Sequence, residues 1–261
     1  MFKRNVIYVM SFACLVSDGV LARVRTDATA DPAMPPLSRA QIQKARDEGV
    51  DLGKVNTAPG LHVVPLSDSW STPEQADVER EHIEQQRLRG FYSAEVSEVA
   101  TPRVKRAAAE REYLPRHDRA FASLREVQND ILVKPIDLGS SGLSAASLLE
   151  VRLGGSHVRG KWTGLARSFD VPELGLVILN ETDHVAGKES VTMVKEWVNI
   201  EINGQPGTAK TARDASGHTL ITVGWANDRK LYSLQLQPLY PEAHAANQEK
   251  LIEIARKLVE A

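Results

Sequence analysis

The chain has 261 residues, in which 32 Lys and Arg nearly balance 34 Asp and Glu for a formal net charge of −2. With 42% hydrophobic residues it can bury the core of one or two domains, and the even charge excludes a chain drawn as a whole to nucleic acid or to a polyanion. Its single cysteine, Cys14, lies so early that everything after it lacks a thiol, a disulfide or a cysteine metal ligand.

The chain opens with Lys3 and Arg4, an apolar run from Val6 to Val16, and Val20-Leu21-Ala22 ahead of a polar stretch beginning at Arg23. That is the order of a secretory signal. The run is far shorter than the roughly twenty residues a spanning helix needs, so 1–22 is expected to be a cleaved leader and the protein periplasmic or secreted. Cleavage is expected after Ala22. Cleavage at Ala13 would instead make Cys14 the first residue and a site for lipid, the one route to a membrane-anchored lipoprotein. Ser11 and Phe12 fit the residues expected before a lipidated cysteine poorly.

Residues 23–70 read as a mostly irregular linker, with Pro32, Pro35, Pro36 and Pro59-Gly60, and one short helix over Ser38 to Glu48. Residues 71–131 read as a charged helical arm. Thr72-Pro73-Glu74-Gln75 supplies a cap, a proline for the first helical position and acids for the first turn, which predicts a helix through Arg89 that stops at Gly90. A second helix is predicted over Pro102 to Tyr113 and a third over Asp118 to Asp130. Few large apolar residues and dense charge of both signs predict that the arm is solvated and lies against the rest of the chain.

Residues 132–261 read as an α+β domain. Leu149, Val151 and Leu153 alternate with charged neighbours, Leu174 to Leu179 is continuously apolar, and Val198, Ile200 and Ile202 alternate again. Thr219 to Trp225 and Leu231 to Leu236 follow. Turn signals at Asn203-Gly204, Asp214 to Gly217 and Asn227-Asp228 separate these runs at hairpin distances, which predicts an antiparallel sheet. The end of the chain predicts an amphipathic helix from Glu242, with Leu251, Ile254, Ala255 and Leu258 on one face and Glu253 paired with Lys257 on the other. The expected fold is an antiparallel β-sheet packed by a C-terminal α-helix, preceded by the arm.

The succession Val198-Asn199-Ile200-Glu201-Ile202-Asn203-Gly204, Thr219 to Trp225, Leu231-Tyr232-Ser233-Leu234 and Leu251-Ile252-Glu253-Ile254-Ala255 resembles the end of extracytoplasmic domains in bacterial envelope lipoproteins and anti-sigma-factor sensor regions. The resemblance covers the last quarter of the chain and carries no catalytic residue. It implies a small sheet-and-helix module used for binding or sensing.

Gly204 to Thr211 resembles a phosphate-binding loop with Ala209 in place of its last glycine. Such a loop must lead into a helix whose amides cradle phosphate, whereas the turn at Asp214 to Gly217 and the strand after it leave no room for one. A Gly-Pro hairpin turn is expected there, with no ATP and no other cofactor. Glu181, Asp183 and His184 follow the apolar run and are the candidates for acid-base chemistry, with Asp183 and His184 as candidate metal ligands; the bland alternative is a polar loop capping a strand. Glu79 and His82 stand at the spacing of carboxylate-bridged helical metal sites but lack the second pair such sites require. Ser140, Ser141 and Ser144 lie among glycines without the Gly-x-Ser-x-Gly elbow. Trp162, Trp197, Trp225 and Tyr232 are expected in the core or on a sheet face, or as a ligand platform if two of them are exposed together.

Together these readings predict an exported, non-catalytic binding or accessory protein of the cell envelope, with a partner that is an envelope protein or a small ligand. The alternative is a periplasmic hydrolase with a dispersed or metal-dependent site.

Overall fold

The computed structural model describes residues 7–9, 59–69, 73–96, 119–139 and 141–259. The short helix expected over Ser38 to Glu48, the helix expected over Pro102 to Tyr113, Ser140 and the residues Ala13, Cys14 and Ala22 lie outside them.

The fold is α+β. In chain order the strands are β1 (Ile7–Val9), β2 (Gly60–Val64), β3 (Tyr92–Ser93), β4 (Ala120–Phe121), β5 (Ser147–Val158), β6 (Lys161–Val171), β7 (Gly175–Asp183), β8 (Ser190–Val194), β9 (Ile200–Ile202), β10 (Gln205–Arg213), β11 (Thr219–Ala226) and β12 (Lys230–Pro238). The α-helices are α1 (Pro73–Arg89), α2 (His184–Gly187) and α3 (His244–Lys257). Nine strands form one sheet in the order β3-β10-β11-β12-β7-β6-β5-β4, with β9 paired to β10 off that path. Its pairings are antiparallel except that of β3 with β10. A second, parallel sheet of three strands runs β1-β8-β2.

The hairpins form where the sequence places them. Asn203 and Gly204 connect β9 to β10 with φ of 51° and 78°, the two positive values that a twist-matched two-residue hairpin turn demands.

Register gives the large sheet two unlike faces. One cross-strand row reads Val151, Arg167, Leu179, Leu234, Val223 and Ala209, apolar but for one arginine. Here α3 lays Leu251, Ile252, Ala255 and Leu258 against Ile221, Val223, Leu234 and Leu236 in the main core, each such side chain contributing about 1.5–3 kcal/mol when fully buried. Glu253 and Lys257 pair at 2.7 Å on the far side of the helix, as the spacing predicts.

The neighbouring row on the opposite face reads Glu150, Ser168, Ile178, Gln235, Thr222 and Lys210. At one end of this face α1 closes over Tyr92, Trp197, Ala212 and Leu220, with Ala76 and Ile83 its own apolar contribution. At the other end Val191 and Met193 of the small sheet pack on Ala226 and Leu231. The arm helix is therefore docked on the sheet, and β2 lies inside the stretch expected as linker.

The helix expected over Asp118 to Asp130 does not form. Ala120 and Phe121 pair with Arg152 and Val151 as β4, and Leu124–Glu126 makes only a single 3-10 turn. Two contests decide this. Phe121, Val127 and Ile131 gain burial against Val151 and Leu165, and the Glu126 carboxylate takes the Ala122 N–H that a continuing helix would direct elsewhere. Beyond the turn, the Asp130 carbonyl accepts from the Trp162 N–H and the Leu132 N–H donates to the Trp162 carbonyl, both at 2.7 Å, which commits the backbone to β6.

Candidate functional site

The apolar run of β7 ends at Leu179, but the strand does not. It continues through Glu181 and Asp183, which alternate into the buried face alongside Val177 and Leu179. A carboxylate carried inward by strand alternation must find donors or shed its charge. Glu181 finds two. Its Oε1 accepts from Arg167 Nη2 and its Oε2 from the Ile136 N–H, both at 2.6 Å. Burial pushes the Glu181 carboxyl up, and the Arg167 charge opposes that shift.

Asp183 has a different task. It ends β7 and caps α2, its Oδ1 accepting from the Ala186 N–H at 2.8 Å, as a short acidic side chain at a helix start does. Its other oxygen accepts from Arg229 Nε at 2.9 Å. His184 begins α2 fully buried, with Nε2 3.1 Å from the Asn227 carbonyl oxygen. In the neutral ring that contact places the proton on Nε2 as donor, leaving Nδ1 buried with no hydrogen-bond partner.

The three side chains thus serve three separate structures: a core ion pair, a helix cap and a turn carbonyl. Each oxygen of Glu181 and Asp183 already accepts one hydrogen bond, so a metal or a substrate proton would compete with bonds that hold the fold. Among the described residues, no group of three or more His, Cys, Asp and Glu side chains is placed to hold a metal ion.

Close by is a group the sequence does not single out. Glu189 is buried, and its Oε1 accepts from the Ser156 hydroxyl at 2.6 Å. Burial raises its carboxyl pKa, the Ser156 hydrogen bond opposes this, and the Asp183 charge adds to it. Ser156 is held by its own N–H, which donates to Thr163 Oγ1 at 2.8 Å. Strand β8 carries little period signal, which hides Glu189 just before it. Arg167 carries a clearer signal: it lies between Leu165 and Phe169 on an alternating strand, and an inward charge there calls for a partner.

Gln205–Arg213 is a strand, so Gly204 to Thr211 does not form the strand-to-helix loop that cradles phosphate; Lys210 is buried with its ammonium 3.7 Å from the centre of the Trp197 ring. Glu79 accepts from Trp197 Nε1 at 2.6 Å. His82 lies 4.6 Å from the Tyr92 ring, and burial lowers its pKa against the opposing charge of Glu79. Ser141 is buried and its hydroxyl accepts from the Leu143 N–H, while Ser144 is exposed. Trp197, Trp225 and Tyr232 are all buried, the last two stacked at 5.1 Å as a cross-strand pair. Trp162 is half-buried, 5.0 Å from the His157 ring. Three of the four aromatics therefore fill the interior, and Trp162 alone among them is partly exposed.

What fold and site define together is an α+β protein whose inward-facing carboxylates are spent on internal bonds. No protein-family model matches the chain, and no curated protein matches it. A crystal structure of a GTP binding regulator from Thermotoga maritima at 1.75 Å resolution is similar over 48% of this chain and 84% of its own, at 14% identity and a TM-score of 0.26. A score that low carries no argument about fold or ligand.

Proposed function

We propose that the protein is exported to the cell envelope and acts there as a non-catalytic binding or accessory protein. The observation that carries the reading is the separate engagement of Glu181, Asp183 and His184. Glu181, Asp183 and His184 are each held in a different structural bond, and each oxygen of the two carboxylates already accepts a hydrogen bond. Export rests on the order Lys3-Arg4, Val6 to Val16, Val20-Leu21-Ala22.

Intact-mass measurement of the chain recovered from an envelope fraction tests the address. A mass beginning at Arg23 supports it, and a full-length chain recovered only from the cytoplasm sinks it. Affinity capture from envelope extract on the folded mature chain, against the same chain denatured, tests the role. Hydrolysis of an ester, peptide or phosphate substrate that is lost in His184→Ala would replace the binding reading with that of a hydrolase.

A further inference from the structure

Four side chains meet at one corner of the large sheet, contributed by the end of α1, the entry to β3, the end of β10 and the start of α3. The guanidinium of Arg89 lies 5.3 Å from the centre of the Phe91 ring, and that of Arg213 lies 5.7 Å from the same centre. The His244 ring meets Phe91 edge-on at 5.5 Å. Regular structure sets this arrangement. Tyr92 and Ser93 pair in parallel register with Ala212 and Arg213, and one turn along α3 Gln248 accepts from the Thr211 hydroxyl at 3.0 Å. Gly90 makes the turn between α1 and Phe91 with φ of +78°, a backbone conformation that favours glycine.

The charge at this corner is unbalanced. Among the described residues neither Arg89 nor Arg213 is paired with a carboxylate, and His244 Nδ1 is a buried nitrogen without a hydrogen-bond partner. The acid beside Arg213, Asp214, is turned into its own loop, where it accepts from the Ser216 N–H, the His218 N–H and His218 Nδ1. A guanidinium resting near an aromatic ring is oriented by it while its in-plane N–H groups stay available. Two such forks around one ring suit a ligand that presents several charged oxygens.

We propose that Arg89, Arg213 and His244, gathered around Phe91, form a binding site for a tetrahedral oxyanion of the phosphate class. A phosphate has oxygens enough to accept from more than one of these groups at once. This site is independent of the export and binding reading above: it would exist equally in a chain that kept its leader or had an activity elsewhere.

The test is calorimetric titration of inorganic phosphate into the full chain at low ionic strength, repeated with phenyl phosphate and with chloride at matched ionic strength. Saturable binding of inorganic phosphate but not chloride is expected. Arg89→Gln and Arg213→Gln should each weaken it about tenfold or more, the usual worth of a hydrogen bond to a charged group, with the thermal midpoint unchanged. Tighter binding of phenyl phosphate assigns the site to a phosphate monoester that adds a ring to the Phe91–His244 cluster; equal or weaker binding assigns it to the free ion. If either glutamine variant melts early, Arg89→Lys and Arg213→Lys keep the charge, and weakened binding in those folded variants still supports a forked contact. No saturation at millimolar phosphate, or undiminished affinity in the double glutamine variant, overturns the proposal.

Discussion

Arg167 on β6 reaches diagonally to Glu181 on β7, and the pair takes both backbone polar groups of Ile136. Glu181 accepts the Ile136 N–H at 2.6 Å and Arg167 donates to the Ile136 carbonyl at 3.1 Å. With side chains 3% and 0% exposed, the two charges sit in the core and tie the segment before β5 to the sheet. Lys230 adds a second tie by donating to the Lys134 carbonyl at 2.9 Å.

Removing one partner of that pair should be far worse than removing both. Glu181→Ala strands a guanidinium in the core and is expected to cost about 3–5 kcal/mol, whereas Arg167→Met with Glu181→Leu should recover much of that loss because no unpaired charge remains. Urea unfolding of the single and double variants reads this directly. A double variant as unstable as the sum of the singles would mean that the pair does not act as a unit.

The docking of α1 rests on polar contacts. Its mean composition is charged, and Ala76 and Ile83 are its only apolar residues in the local core. Glu79 therefore matters more than its residue type suggests. Glu79→Ala leaves the Trp197 indole N–H buried without an acceptor and should cost about 1–3 kcal/mol; Glu79→Gln keeps an acceptor and should cost less. Gln86, which accepts from the Thr211 N–H at 2.8 Å, gives an independent site, so its alanine variant should loosen the C-terminal half of the helix. Hydrogen exchange of the α1 amides would separate the two effects. Uniform protection of α1 in Glu79→Ala would remove this account of its docking.

How far the sequence reveals this fold depends on whether a signal is local. Pro73–Arg89 appears in the structure as the proline and the terminal glycine predict, because those residues act within a turn of themselves. Asn203-Gly204 is equally legible. Strand β8 is not, since its pairing with β2 joins residues far apart in sequence and neither strand shows a clear period. The failed helix after Asp118 is the same lesson reversed: acceptable local propensity yields to Phe121 finding Val151. At the candidate site, Glu181 looks like the loop after an apolar strand because the apolar run stops before the strand does. Only the partner Arg167, on a different strand, explains how a carboxylate remains inside.

Glu189 sets an expectation for pH. Its folded pKa is raised, chiefly by burial, so between the ordinary carboxylate value and the raised one the folded state holds a proton that the unfolded state releases. Stability from this group is fully present at acid pH and is lost as pH rises through that window. Glu189→Gln keeps an acceptor for Ser156 and removes the cost of the buried charge, so the variant should melt higher than the wild type at neutral pH, with the gap closing toward pH about 4. Thermal melts across that range check it. A gap that widens on acidification would reverse the assignment.

Ile7–Val9, inside the stretch proposed as a leader, takes part in the small sheet, which makes removal of that stretch informative. Ile7–Val9 pairs with Ser190 to Thr192 on one side of β8, while β2 pairs with all of Ser190–Val194 on the other. Val191 and Met193 are buried among Ala226, Leu231, Leu61 and Val198, residues that all survive cleavage after Ala22. Losing β1 therefore removes a few ladder hydrogen bonds from one edge, each worth about 0.5–1.5 kcal/mol net, and leaves the packing that places β8 on the large sheet. A chain beginning at Arg23 should fold, with a modestly lower urea midpoint and faster exchange confined to the β8 amides. Global unfolding of that chain would show that Ile7–Val9 is structural, and would count against its being a leader at all.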